Sequence, residues 1–294
     1  MEWTVTQEPL TQLAVDAIVV LHTEGGKAVR DDVRAVDEML DFRISRLIAD
    51  GEITGKYGEI TLLHTWDKIP AKRVFVLGLG AVGELDLDRL RNGFAIVARK
   101  AEERGLKHLG IALPASLAEG KNAADPVQAA VEGVELGIYA YRGYKGEKKG
   151  ASLATVFLSP PGLSPSGVEV GLERGRVFAR ATNLARTWVN EPANRLTPAV
   201  LADHAAEVAK RHGLKVDILD EKRLEEMEMG ALLAVSRGSA QPPRMIVISH
   251  FGAPESKEVL GLVGKGVTFD SGGIQVKPSK SMNGMKEDMA GAAA

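Results

Sequence analysis

The chain has 294 residues, of which 45% are hydrophobic and 26% charged, with a net charge of -2 and no cysteine. That length suits two domains better than one small core, and the lack of cysteine excludes disulfides, thiolate nucleophiles and cysteine zinc sites. The charge balance gives no bulk attraction to nucleic acid, no apolar run approaches the ~18 residues that would span a bilayer, and the acidic, polar start MEWTVTQEPL is unlike a signal peptide.

In chain order, Ala14 to Leu21, Glu59 to Thr65, Arg73 to Gly80, His108 to Pro114 and Leu153 to Ser159 read as strands. Several are continuous apolar runs, as expected of strands covered on both faces. Between them, Asp86 or Asp88 is placed to cap a helix whose apolar face carries Leu87, Leu90, Phe94, Val97, Ala98 and Ala101, and Gly105 closes it. A second helix is predicted over Ala124 to Ala140. Strands alternating with amphipathic helices point to an α/β architecture.

The cluster SPPGLSPSG, Ser159 to Gly167, reads as a linker and sets the expected domain boundary, 1–166 and 167–294. A helix over about Val170 to Val189 is expected after it. Thr197 then caps a helix that has Pro198 at its first position and Gly213 beyond its end. KVDIL, RMIVISH and VLGLVG (Val259 to Gly264) read as three further buried strands, making the second half another α/β unit without a closing element after its last motif.

Several motifs have chemical readings. Gly78, Gly80 and Gly83 form Gly-x-Gly-x-x-Gly after a strand and before a helix, the setting of a dinucleotide fingerprint. No acidic residue ends the next strand to hold a ribose, and a structural turn is favoured. The six histidines, His22, His64, His108, His204, His212 and His250, form no His-Glu-x-x-His motif and read as scattered side chains. The charged run Glu221 to Gly230 reads as a solvated helix face.

The stretch VGKGVTFDSGGIQVKPS, Val263 to Ser279, lacks the Gly-Lys-Ser/Thr of a phosphate loop. Lys265 follows the predicted strand VLGLVG, and ligands of open α/β sheets bind beyond the carboxyl ends of strands. Asp270, Lys277 and Asp288 come next, and Gly272 and Gly273 allow a tight turn and close backbone approach. Two carboxylates at a strand end suit a divalent ion. A glycine loop with two surface ion pairs is the alternative.

The segment VGKGVTFDSGGIQVKPSKSMNGMKEDMAGAA closely resembles the first metal-binding segment of the leucyl (cytosol) aminopeptidases, two-metal exopeptidases that remove N-terminal residues. NLARTWVNEPANRLTPAVLA, Asn183 to Ala202, resembles that family's Asn-x-Pro-Ala-Asn-x-x-Thr-Pro stretch, and GIYAYRGYK is the clearest likeness to its N-terminal domain. The resemblance implies an N-terminal macro-like α/β domain followed by the first part of an α/β metallopeptidase domain. It implies Lys265 as an amine ligand of one metal, Asp270 as the carboxylate bridging both and Asp288 as a second carboxylate on the Lys265 metal. It further implies Lys277 as the catalytic cation and Met285 in the wall of the pocket for the substrate's first side chain. Two divalent ions, Mn²⁺ or Zn²⁺, a bicarbonate base, peptide substrates, a homo-hexamer and a cytoplasmic location are implied too, with neither membrane nor nucleic acid as the expected partner. The family's later Asn-Thr-Asp-Ala-Glu-Gly-Arg segment does not occur here, so the catalytic domain is expected to be incomplete and the chain alone inactive. A dinucleotide-binding protein and a non-catalytic ligand- or DNA-binding protein are the competing expectations.

Overall fold

The computed structural model describes residues 1–25, 31–118, 122–144 and 153–294. The chain divides into two compact units, Met1–Arg180 and Ala181–Ala294.

The first unit contains β1 (Glu2–Val5), β2 (Ala17–Glu24), α1 (Asp31–Met39), α2 (Arg43–Ala49), β3 (Ile60–His64), β4 (Arg73–Ala81), α3 (Leu87–Glu103), β5 (His108–Ala112), α4 (Ala124–Gly137) and β6 (Thr155–Ser159). The six strands form one sheet in the order β1-β6-β5-β2-β4-β3. All neighbours are parallel except β3, which runs antiparallel on β4. The continuous apolar runs have a direct cause. Along β2 and β4, Ala17, Val19, Leu21, Phe75, Leu77 and Leu79 face the core built with α3 and α4. The intervening Ile18, Val20, Val74 and Val76 face a second core with Val33, Val36, Leu40 and Ile44 from the α1–α2 region. Side chains alternate across a strand, so covering both faces leaves no polar side chain from Ala17 to Leu21 or from Val74 to Leu79, and the polar His22 and Thr23 come only toward the end of β2.

Local signals work as the sequence predicts. Asp86 caps α3 by accepting from the Arg89 amide at 2.7 Å. Gly105 takes φ 65° just past its end. Helix α4 lies so close to α3 that a Cβ at Gly133 would meet the Arg91 carbonyl oxygen at 2.1 Å. The half-buried Arg91 guanidinium bonds Glu132 on α4 at 2.5 Å and also pairs with Asp88. Burial works against the charge on Arg91, but these carboxylates outweigh it and hold the guanidinium above its ordinary range.

The Pro/Ser/Gly cluster is not a loose linker. Leu163 N–H bonds the Pro160 carbonyl, and Ser164 receives the Gly167 amide at its hydroxyl and the Val168 amide at its carbonyl. A tight turn therefore leads straight into α5 (Pro165–Asn190). Proline is tolerated at a first helical position because its missing N–H has no partner there anyway. The unit boundary falls inside this helix, between Arg180 and Ala181, later than the expected 166/167 division. Within GIYAYRGYK, Lys145 lies outside the described residues.

The second unit continues with α6 (Pro198–Arg211), β7 (Lys215–Leu219), α7 (Glu221–Glu226), α8 (Gly230–Ser236), β8 (Met245–Ser249), α9 (Ser279–Met282) and α10 (Ala290–Ala293). Thr197 caps α6 and Asp220 caps α7. In α7 Leu224 is fully buried among exposed charges, which agrees with a solvated face. Strands β7 and β8 pair antiparallel, but they are only partly buried. The predicted buried strand Val259 to Gly264 is not formed. Val259 is 92% and Val263 101% exposed, and among the described residues no strand lies beside them. An apolar run signals a tendency to be covered, but burial and a hydrogen-bond ladder both need a neighbouring surface.

Candidate functional site

Lys265 lies in the second unit, in an extended stretch that is anchored by its backbone. The Ala292 amide donates to the Lys265 carbonyl at 2.9 Å. A Cβ at Gly264 would lie 2.1 Å from the Gly291 carbonyl oxygen, so the two glycines permit main chain to pass directly against main chain. This contact brings the Lys265 Nζ to 3.4 Å from Asp288 Oδ2. That oxygen is shielded from solvent and accepts no hydrogen bond. The ion-pair distance and the missing hydrogen bond are compatible, because Lys265 is near but not aligned as a donor. A shielded carboxylate oxygen without a hydrogen-bond donor has room for a further donor group or a cation beside the Lys265 ammonium.

Asp270 and Lys277 form the second pair. Lys277 Nζ donates to Asp270 Oδ2 at 2.7 Å, and the Gly272 amide donates to Oδ1 at 2.8 Å. Gly272 has φ 94°, and a Cβ there would meet the Gln275 carbonyl oxygen at 2.4 Å, so the turn that aims this amide requires glycine. The Lys277 ammonium first, and then the Gly272 amide, hold the Asp270 carboxyl below its ordinary range, with Lys265 contributing through space.

Met285 joins the pairs. Its carbonyl accepts from the Asp270 amide at 3.4 Å and its Sδ lies 2.9 Å from Lys277 Nζ. It opens a single 3₁₀ turn, Met285–Glu287, that ends at Asp288. The next residue, Met289, is fully buried against Leu196 and Leu201. Thus Lys265, Asp270, Lys277, Met285 and Asp288 converge, although the strand expected before Lys265 is absent. Two carboxylates and an amine can serve as donors to a divalent ion here. Among the described residues, no group of three or more His, Cys, Asp or Glu side chains is arranged to hold a metal ion.

Residues of these segments to which the sequence assigns no role also support the cluster. Lys286 Nζ donates to the Asn190 carbonyl at 2.6 Å, and Trp188 stacks on His204 with ring centroids 5.8 Å apart. Lys286 sits in an ordinary-looking charged run, and no spacing rule singles it out. Gly78 and Gly80 lie inside β4 instead of at a helix start, and a Cβ at Gly78 would meet the Lys56 carbonyl oxygen at 2.1 Å. The glycines there make room for main chain. Among the described residues, no helix is long and apolar enough to cross a membrane.

Comparison with known proteins places these features in context. A family profile described as the cytosol aminopeptidase family, catalytic domain, matches residues 183–294, and one for the same family's N-terminal domain matches residues 19–148. A protein of Alkaliphilus oremlandii (strain OhILAs) named "Probable cytosol aminopeptidase" is 38% identical over 298 residues, covering 100% of this chain and 59% of that protein. One of the same name from Solibacter usitatus (strain Ellin6076) is 40% identical over 295 residues, covering 100% of this chain and 58% of its own length. Among solved structures, a mutant of tomato leucine aminopeptidase aligns with TM-score 0.83 at 26% identity, covering 100% of this chain and 57% of that one. The bottromycin maturation enzyme BotP in complex with Mn aligns with TM-score 0.73 at 31% identity, covering 95% and 54%. The chain therefore spans somewhat under three-fifths of the length of the curated relatives it matches.

Proposed function

Because the chain belongs to the cytosol aminopeptidase family, we propose that it forms part of a metal-dependent aminopeptidase that releases N-terminal residues, leucine among them, from peptides. One observation carries this reading: Asp288 Oδ2, shielded and without a hydrogen bond, lies beside the amine of Lys265, which also acts through space on Asp270, a second carboxylate held in its charged form. In it, Lys265, Asp270 and Asp288 would be donors to divalent ions, Mn²⁺ or Zn²⁺. Lys265 must give up a proton to act as a ligand, and its exposed position next to Asp288 leaves that proton a route to water.

Paired divalent ions supply a water acidic enough to attack an amide at neutral pH and a Lewis acid for its carbonyl. The protein's own groups do the rest. Asp270 stays ionised because Lys277 and the Gly272 amide stabilise its charge. The Lys277 ammonium, 29% exposed, is the cation available to an oxyanion that develops beside Asp270, and loss of such a donor typically costs on the order of 10²–10³ in rate. Met285 presents a flexible thioether at the same place, suited to an apolar first side chain. A bicarbonate base, a homo-hexamer and a cytoplasmic location belong to the same proposal by family kinship.

Two carboxylates and one amine are too few donors for two divalent ions, which take about four or more ligands each. The 294-residue chain alone is therefore expected to be inactive, and the longer parent active. The experiment is release of p-nitroaniline from leucine p-nitroanilide by the parent, before and after EDTA and with Mn²⁺ or Zn²⁺ restored. Activity that survives complete metal removal refutes the proposal. Strong metal-dependent release by the isolated chain refutes the expectation that its donors are insufficient.

A further inference from the structure

The turn that carries Met285 and Asp288 has few contacts of its own. It is a single 3₁₀ turn preceded by Gly284 at φ 91°, and so short a turn has little intrinsic stability. Its position nevertheless controls the whole cluster. The Met285 carbonyl receives the Asp270 amide, its sulfur meets Lys277, and Asp288 ends the turn opposite Lys265. Something outside the turn must hold it in place.

One anchor is apolar: Met289 is fully buried with Leu196 and Leu201. It acts after the turn and does not set the turn's rotation. The second anchor acts within it. Half-buried Lys286 reaches back to the carbonyl of Asn190, the last residue of the long helix α5, with a 2.6 Å hydrogen bond. The terminal carbonyls of a helix have no intrahelical donors and carry the negative end of its dipole, so a lysine there finds an acceptor and a favourable field together. Pro192 keeps the helix from continuing. The Asn190 side chain bonds the Arg186 carbonyl one turn back, which stiffens the helix end.

Building on the aminopeptidase reading, we propose that Lys286 is a positioning residue: its bond to the Asn190 carbonyl fixes the turn so that Asp288 and Met285 face Lys265, Asp270 and Lys277. This gives the Asn-x-Pro-Ala-Asn segment a physical task at the site. Its first asparagine provides the anchor point for a ligand-bearing turn far away in sequence.

The test compares Lys286→Met, which keeps the stem and removes the donor, with Lys286→Arg, which restores a cation. Hydrogen exchange in the 294-residue chain reads the Asp270 and Asp288 amides, both of which donate to the Met285 carbonyl. We expect Lys286→Met to speed both about tenfold, with exchange in β7 and the global melting temperature nearly unchanged. Mn²⁺ affinity, read by electron paramagnetic resonance, should fall about 10–100-fold, as for other groups that orient metal ligands. Lys286→Arg should recover most of both effects. Unchanged exchange in Lys286→Met overturns the proposal whatever Mn²⁺ does, and so does a measurable Mn²⁺ affinity that is equal in all three proteins. An unfolded Lys286→Met protein alongside a normal Lys286→Arg protein would also overturn it, since the lysine would then be needed for the whole unit. Accelerated exchange with no Mn²⁺ uptake even by the wild type supports the anchor and counts against the two-metal reading instead.

Discussion

Replacing Gly264 with alanine tests whether the passage of main chain against main chain positions Lys265. The new Cβ would lie 2.1 Å from the Gly291 carbonyl oxygen, 2.5 Å from its carbon and 2.7 Å from the Ala292 nitrogen. Ordinary contact begins at 3.4 Å, so the strands of chain must part by about 1.3 Å, and all three obstacles are backbone that no rotamer can move aside. Enduring the clash in place would cost about 1–3 kcal/mol. Undocking the stretch around Gly264 instead forfeits the bond from the Ala292 amide to the Lys265 carbonyl, worth about 0.5–1.5 kcal/mol, and the partly exposed Lys265–Asp288 ion pair, worth about 0–1 kcal/mol, while the Ala292 amide keeps its second acceptor, the Met289 carbonyl at 3.1 Å. Undocking is the cheaper route. The expected result is a small change in global stability, about 1 kcal/mol, and faster exchange at the Ala292 amide, which is left with the Met289 carbonyl as its one acceptor. Gly261→Ala is the matched control, since a Cβ there meets nothing within 4 Å. Equal Ala292 exchange in the two variants would refute the positioning argument. In the parent enzyme, Gly264→Ala should also weaken Mn²⁺ binding, because the Lys265 approach to Asp288 depends on the same contact.

In the parent, Asp270→Ala should abolish metal binding and activity together, whereas Lys277→Ala should keep the metal and lose about 10²–10³ in kcat; equal metal loss in both would contradict the separate roles. In the 294-residue chain, Lys277→Ala should also raise the Asp270 titration midpoint toward the ordinary carboxylate range, visible in a carbon-detected NMR titration, because the largest cause of its lowering is removed. Asp16 is pushed up by burial but pulled further down by the Lys107 and His108 amides, which donate to it at 2.8 and 3.0 Å. Its contribution is therefore present above the unfolded pKa of about 3.9 and lost as pH falls through the lower folded value, and Asp16→Ala should cost about 1 kcal/mol at pH 7 by urea unfolding, with less difference in acid. Glu135 behaves oppositely: burial raises its pKa despite the Trp3 indole donor at 3.1 Å and nearby arginines. The folded state then holds a proton that the unfolded state releases, so stability falls as pH rises from about 4.3 through the raised value. Glu135→Gln should accordingly raise the melting temperature more at pH 7 than at pH 4.

Much of the first unit was legible because its signals are local or doubly constrained. Asp86 and Gly105 mark the ends of α3 by hydrogen-bonding chemistry confined to one turn. From Ala17 to Leu21 in β2 and from Val74 to Leu79 in β4 no side chain is polar because both faces of the sheet are covered, a requirement written at each of those positions. The candidate site residues were legible for a different reason, as a dense motif in which Gly272 and Asp270 occur together because the turn needs one to present an amide to the other.

Tertiary structure decided the remainder. Val259 to Val263 has the composition of a buried strand yet is exposed, because no described strand lies beside it. Nothing in the residues of Ser159 to Gly167 distinguishes a flexible linker from a turn closed by Ser164, since that depends on the direction in which the helix leaves. Lys286 differs in no visible way from the solvated lysines near it until the end of α5 places the Asn190 carbonyl within 2.6 Å. By itself the sequence determined which side chains could do chemistry and where the backbone could bend, because those properties belong to single residues and their neighbours. Which groups meet, and which surfaces are covered, depended on residues far apart in the chain and was decided by the fold.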